Sequence, residues 1–340
     1  MKRERDLHID IMRCLGLLLV ILAHIPINET IKQIRSFDVM LLVFVAGMSF
    51  SKSKKADFNY KQYLIGRVKR LCIPTWVCLI FIFGLAWILC LIMHKDYLYS
   101  FQQIMESIFF IGGINGGIGN VWIVRIYLLL AIMTPIYMFI ERKLSDKQLI
   151  FLFVIILATN ELIIKLFYIQ NTLAGAIIEN LFSSILGYSV GFLSGARLMK
   201  DKEHIFIRNI LSCFIPAFLV CQVILCILGR GFSPNSYKYP PQLYYILYGC
   251  IFSLFIYMLC IKIEINNWRV RSVFVWISRK SFDIYLAHTI VLRLLSWGDK
   301  YIKNIFIFRV SLLYYMFVVL ISFALVYSKD ILRETLKRRK

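Results

Sequence analysis

Ten stretches of this chain are apolar over nearly the length needed to cross a lipid bilayer, and that restricts the fold more than any other feature. A spanning helix needs about 20 mostly apolar residues. Within lipid every backbone amide must find its partner inside the protein, which leaves helices for runs of this kind. The runs are 9–27, 37–51, 71–93, 120–140, 149–168, 174–195, 205–228, 242–262, 273–296 and 305–327. The second is short. The ninth is interrupted by Ser278, Arg279, Lys280 and Ser281, so a span beginning near Ser281 is expected. A further apolar stretch, 101–111, is too short to cross and is expected at the interface, before a Gly-rich turn over 112–119. Of the 340 residues 60% are hydrophobic and 17% charged, whereas globular chains carry about a quarter charged residues. Disordered chains, coiled coils, disulfide scaffolds and ordinary soluble enzymes are thereby set aside. The basic start at 1–5 before an apolar run has the outline of a signal peptide. Arg13 breaks that run and no small-residue cleavage pattern follows, so a retained first helix is expected. The expected fold is all-α: a polytopic integral membrane protein of about ten transmembrane helices, in one domain over 1–340.

The charge balance fits this class. Lys and Arg number 40 against 19 Asp and Glu. In a soluble domain such an excess would suggest nucleic acid. Here the cations follow the loops. The segments 2–5, 52–70, 141–148, 196–208, 262–280 and 329–340 hold 28 Lys and Arg, and the alternating segments hold 7. The positive-inside rule then places both termini in the cytoplasm and accounts for the net charge with no nucleic-acid partner. The nine cysteines lie in or beside apolar runs and none forms Cys-x-x-Cys, so they read as buried thiols rather than bridges or a metal site.

Charged side chains in hydrocarbon cost roughly 2.5–3.5 kcal/mol each at a helix centre, so those inside the runs are the functional candidates. The first run carries Asp10, Arg13 and His24. Asp10 and Arg13 are one turn apart and can pair. Arg13 and His24 fall within about 20° of one face and about 16 Å apart along an ideal helix. One stripe thus bears a cation near the cytoplasmic side and an imidazole towards the far side. The competing reading is a snorkelling arginine and an interfacial histidine. Asp38, at the start of the second run, either orients that imidazole or caps its own helix. Arg125 follows Trp122 early in the fourth run. Glu161 and Lys165 suit a structural i,i+4 pair. Arg293 reads as snorkelling outward. Asp283 and His288 share the ninth run with Tyr285. Arg67, Lys69 and Arg70 sit in the second cytoplasmic loop, as a lipid-phosphate anchor or as a docking site for a cytosolic polyanion, since a guanidinium can bond two oxygens at once. The chain has no Walker loop, no His-Glu-x-x-His and no Gly-x-Ser-x-Gly.

Several of these residues together resemble acyltransferase family 3, polytopic bacterial membrane proteins that O-acylate surface glycans. Arg13-x10-His24 is similar to the family's first-helix signature. The run Phe37-Asp38-Val39-Met40-Leu41-Leu42-Val43-Phe44-Val45-Ala46-Gly47 is similar to its second-helix run ending in Ser-Gly. Arg67-x-x-Arg70 followed by Pro74 is similar to its Arg-x-x-Arg…Pro element. Asn120-Val121-Trp122 matches its aromatic entrance to the fourth span, and Ser281-x-x-Ile284-Tyr285-Leu286-x-His288 its late Ser…Ile-Tyr-Leu-x-His element. Two positions depart from the pattern: Ala46 stands where Ser is usual, and Asp38 near where many members carry His.

The resemblance implies transfer of an acyl group, most often acetyl, from cytosolic acyl-coenzyme A to a hydroxyl of a cell-surface polysaccharide or its lipid-linked precursor, at the bacterial cytoplasmic membrane. Acetyl-coenzyme A is then the donor and no metal is required, because thiolate is a good leaving group. His24 acts either as general base or as a covalent acyl carrier. Arg13 and Asp38 complete the catalytic set. Arg67, Arg70 and Lys69 hold the donor's phosphates. Trp122, Arg125, Tyr285 and His288 are the candidates for contacting substrate or a developing oxyanion. The aromatic segment Tyr237-Lys238-Tyr239-Pro240-Pro241-Gln242-Leu243-Tyr244-Tyr245 is either a glycan entrance or an interfacial belt. A non-enzymatic glycolipid or polysaccharide transporter is the alternative class. Transporters often carry matched broken helices, and only the ninth run is interrupted.

Overall fold

The computed structural model describes residues 6–53, 58–111, 118–169, 172–201, 204–298 and 310–338, and among them every regular element is a helix. The Gly-rich stretch over 112–117 and the first residues of the tenth run lie outside the described residues. Among the described residues seven helical segments are long and apolar enough to cross a membrane, and a bent pair makes eight. Two of the ten expected runs miss that test for a physical reason. Helix α1 (Leu7–Ala23) has 17 residues, because Pro26 turns the preceding residue away from helical geometry, so the span stops short of its expected end at 27. The ninth run forms α13 (Trp268–Trp297), whose charges lower its mean hydropathy.

The central helix is α3 (Asp38–Ser53), buried along most of its length. It is entered from a short α2 (Glu29–Ile34) and a single 3-10 turn. Around α3 pack α1, α10 (Ser184–Leu198) and α12 (Leu243–Cys260). Helix α13 lies against α1 and carries α14 (Ser311–Arg338) and α4 (Tyr60–Ile92), and α4 leans on α6 (Trp122–Ile132). Helices α8 (Asp146–Phe167) and α11 (Ile205–Ile227) are peripheral, with outward faces rich in exposed Leu, Ile, Val and Phe. Two bare faces let α3 and α10 approach closely. A Cβ on Gly47 would lie 1.9 Å from the Phe192 carbonyl oxygen, and one on Gly195 2.0 Å from that of Phe44. Small residues at such crossings are how helices associate without a hydrophobic drive between them.

Four expectations need correction. The cluster of Arg67, Lys69 and Arg70 is helical, because α4 begins at Tyr60, well before its apolar part. Pro74 lies inside that helix and removes one backbone donor. The fourth run bends by 54° between α6 and α7 (Thr134–Lys143), where Pro135 follows Thr134. The expected break at Ser278–Ser281 does not occur. The helix continues, with Ser278 bonded to Asp10 and Arg13 and Lys280 paired with Asp330 at 2.5 Å. Glu161 turns to the Leu243 amide at the start of α12 instead of to Lys165, where an acid meets unpaired amides at a helix start. The cysteines are also less uniform than expected. All nine are free, six are buried, and Cys226 is exposed on the apolar flank of α11.

The expected alternation of loops appears in the contacts. Asp6 pairs with Lys52, Ser51 donates to Glu141 at 3.2 Å, Lys200 pairs with Glu141 at 3.1 Å and Arg197 with Asp146 at 2.5 Å. Three of the basic segments, 52–70, 141–148 and 196–208, therefore gather with the start of α1 at one end of the bundle. At the other end Lys238 meets Asp38, and the Tyr248 hydroxyl donates to the Ile34 carbonyl at 2.8 Å.

Candidate active site

Helices α1, α3, α4, α6 and α13 enclose a cavity of about 300 Å³ that opens at the basic end. Arg67 and Arg70 line its mouth. They are three residues apart on α4 and so share a face. Lys69 is exposed and off the cavity, because two residues from Arg67 the helix has turned about 200°. The Arg67 guanidinium lies 5.0 Å from the centre of the Tyr63 ring, a contact that restrains its fork.

Arg13 lines the cavity's interior. Its guanidinium donates to Ser278 Oγ at 2.8 Å and Ser49 Oγ at 2.5 Å, and stands 3.9 Å from Asp10. Ser278 in turn donates to Asp10 at 2.6 Å. The pairing of Asp10 with Arg13 expected from their spacing is thus present, joined by two serines from α3 and α13. Buried charges are tolerable when paired and hydrogen-bonded in this way. Ala46, the departure from the second-helix motif, also faces this cavity.

Tyr285 forms the inner wall and donates through its hydroxyl to the Asn120 carbonyl. Beyond it the polar path continues as rings. The centre of the His288 ring is 5.2 Å from that of Tyr285. The His24 ring stacks on His288 at 5.6 Å with the planes 28° apart. His288 is fully buried, and its ring nitrogens meet only the backbone carbonyls of Ile284 and Tyr285 on its own helix, in poor geometry. His24 is half-buried and caps the C-terminus of α1. The imidazole faces the protein interior, against the buried His288 ring.

Past His24 lies a cluster that the loop reading did not reveal. Asp38 accepts from Arg35 at 2.5 Å, from Lys238 at 2.9 Å and from the Val39 amide at 2.8 Å. Its carboxylate is occupied by these donors rather than by His24. Arg35 and Lys238 were counted among outer-loop cations, yet they are only 6% and 3% exposed. Lys238 lies 5.8 Å from the ring centres of Trp122, Tyr239 and Tyr245. Burial lowers its proton affinity and Asp38 partly restores it. Trp122 packs edge-on against Tyr239 at 5.2 Å. Arg125 is tethered to the Phe110 carbonyl at 2.6 Å. Neither Arg125 nor Arg293 simply snorkels, since each keeps a buried, unpartnered Nε. No local signal marks Ser49 or Tyr127 as site residues, whereas Lys238 lies in the aromatic segment singled out as a glycan entrance or belt and Ser278 in the interruption of the ninth run.

A helical, multiply spanning membrane protein with a basic cavity leading to paired imidazoles is the class that fold and site define. The chain matches the acyltransferase family 3 model, described as an acyltransferase domain, over residues 6–329. It therefore belongs to this acyltransferase family, whose members generally act on glycans. Comparisons with curated proteins and with solved structures gave no match.

Proposed function

We propose that this acyltransferase moves an acyl group, acetyl in the simplest case, from cytosolic acyl-coenzyme A to a hydroxyl of a cell-surface polysaccharide or its lipid-linked precursor, with His24 as general base. The observation that carries the reading is a cavity lined from Arg67 and Arg70 to Tyr285, with the His288 and His24 rings in contact one after the other behind Tyr285. The positive-inside rule assigns the basic end to the cytoplasm, where a donor bearing several phosphate charges is available. Arg67 and Arg70 bind those phosphates at the mouth, and the narrow pantetheine arm enters between the helices. On this reading the protein works in the bacterial cytoplasmic membrane as one domain over 1–340.

The chemistry requires no redox step. Nε2 or Nδ1 of His24 takes the proton of the acceptor hydroxyl as its oxygen bonds to the thioester carbonyl carbon. Collapse of the tetrahedral adduct breaks the carbon–sulfur bond. The ester remains on the glycan, and the coenzyme A thiolate leaves and recovers a proton from the histidinium. His288 has ring donor capacity next to His24 and is the group assigned to the developing oxyanion. Tyr285 and Trp122 shape the chamber. Arg13 lies inside the cavity, one helix stretch from His24, and acts on the arm of the donor rather than on the reacting carbon. The deciding test incubates purified protein with radiolabelled acetyl-coenzyme A, with and without surface glycan. Label on the glycan supports direct transfer, and label trapped on the protein supports the covalent route through His24. No transfer of label at all refutes the reading.

A further inference from the structure

We propose that the acceptor is anionic, carrying a carboxylate or a phosphodiester beside the hydroxyl to be acylated, and that this charge is read by Arg35 and Lys238. The inference rests on the transferase reading above and adds the substrate class. Arg35 and Lys238 are two buried cations with one carboxylate, Asp38, between them, and Asp38 is itself 1% exposed. The cluster therefore carries an unbalanced positive charge in the outer half of the bundle, where such a charge is costly. It also carries unused donors. Asp38 takes one bond from each cation, and Arg35 Nε is buried with no partner. An incoming anion meets both deficits at once. A neutral sugar hydroxyl can accept from that N–H but leaves the charge unbalanced.

The surroundings suit a charged sugar. Trp122 and Tyr239 stand around Lys238, and Tyr239 is 48% exposed, forming the outward rim. The cluster also bears on the base. Lys238, Arg35 and Arg293 are the charges that act on the His24 imidazole. Glu179, the other carboxylate in this region, is engaged with Tyr168 and Arg125. When His24 takes a proton, it adds positive charge to a place already in surplus. An anion delivered with the hydroxyl offsets that charge in the same encounter. Acyl transfer is thereby tied to arrival of the right acceptor, and water, which brings no charge, is a poor substitute.

The test uses the full-length protein in lipid nanodiscs with radiolabelled acetyl-coenzyme A and paired acceptors. One pair is a uronic-acid oligosaccharide and the same oligosaccharide with its carboxyl reduced. The other is a glycosyl phosphodiester and the matching neutral glycoside. The anionic member of one pair is expected to exceed its neutral partner at least about tenfold in kcat/KM, and the pair that responds identifies the anion. Lys238→Met is expected to shrink that advantage to about threefold or less, leaving KM for acetyl-coenzyme A unchanged, whereas Lys238→Arg retains it. The comparison in the unmutated protein decides even if Lys238→Met does not fold. Equal transfer to charged and neutral partners overturns this inference and leaves the transferase reading standing. Transfer to no acceptor overturns both.

Discussion

Adding one methyl group at Gly195 tests the packing that holds the site together. Its Cβ would sit 2.0 Å from the Phe44 carbonyl oxygen and 2.8 Å from the carbonyl carbon, where ordinary contact begins near 3.4 Å. The obstacle is backbone, so no side chain can rotate away, and α3 and α10 must separate by about 1.4 Å. Overpacking of this kind costs about 1–3 kcal/mol, and separating two helices along their length forfeits further dispersion contacts. Gly195→Ala is therefore expected to destabilise by about 3 kcal/mol. The same substitution at Gly84, in α4 with nothing within 4 Å, is expected to be stabilising by up to about 1 kcal/mol, because alanine has less conformational entropy to lose. Both are measured by denaturant titration of the purified protein in mixed micelles, followed by tryptophan fluorescence. The shift of α3 also carries Ser49 away from Arg13, so acyl-coenzyme A affinity should fall in Gly195→Ala and not in Gly84→Ala. If the two variants unfold at the same denaturant concentration, the close crossing of α3 and α10 is refuted.

The other predictions concern charge and chemistry. His24→Ala should abolish acyl transfer while the protein remains folded in the membrane, and retained turnover removes His24 from the mechanism. Arg67→Ala with Arg70→Ala should weaken acyl-coenzyme A binding and flatten its salt dependence in a titration between low and physiological ionic strength. Lys69→Ala, off the cavity, should leave that binding unchanged, and a loss equal to that of the arginine pair would contradict the assigned mouth. The Asp6 carboxyl is held below its ordinary value of 3.8. Burial opposes the shift, and the hydrogen bond and charge of Lys52, with the charge of His8, outweigh it. Asp6 is thus a group with a depressed folded-state value. Its contribution to stability is present above pH 3.8 and lost as pH falls through the lower folded value. Hydrogen exchange at the start of α1 should rise in that acid window, and Asp6→Asn should remove the pH dependence.

The sequence by itself determined the class and the approximate number of helices, and it sets the expected polarity of the bundle. Those follow from apolar length and from the distribution of Lys and Arg, both of which act through the solvent rather than through specific neighbours. It also marked Arg13, His24, Tyr285 and His288, because a polar side chain inside an apolar run stands out against its surroundings, and Arg67 and Arg70, as a basic cluster at the entrance to such a run. What only the tertiary structure decided is who meets whom. Ser278 and Ser49 join Arg13 from helices 265 and 36 residues away, and no local pattern encodes such a meeting. Lys238 and Arg35 looked like loop cations because loops normally face water, yet Asp38 draws both into the interior. Asp38 is the reverse case, visible in sequence as an imidazole partner or a helix cap, while its carboxylate is held by two cations that spacing could not name. Spacing along one helix fixes a direction and a height, and only the packing of the others fixes what stands opposite.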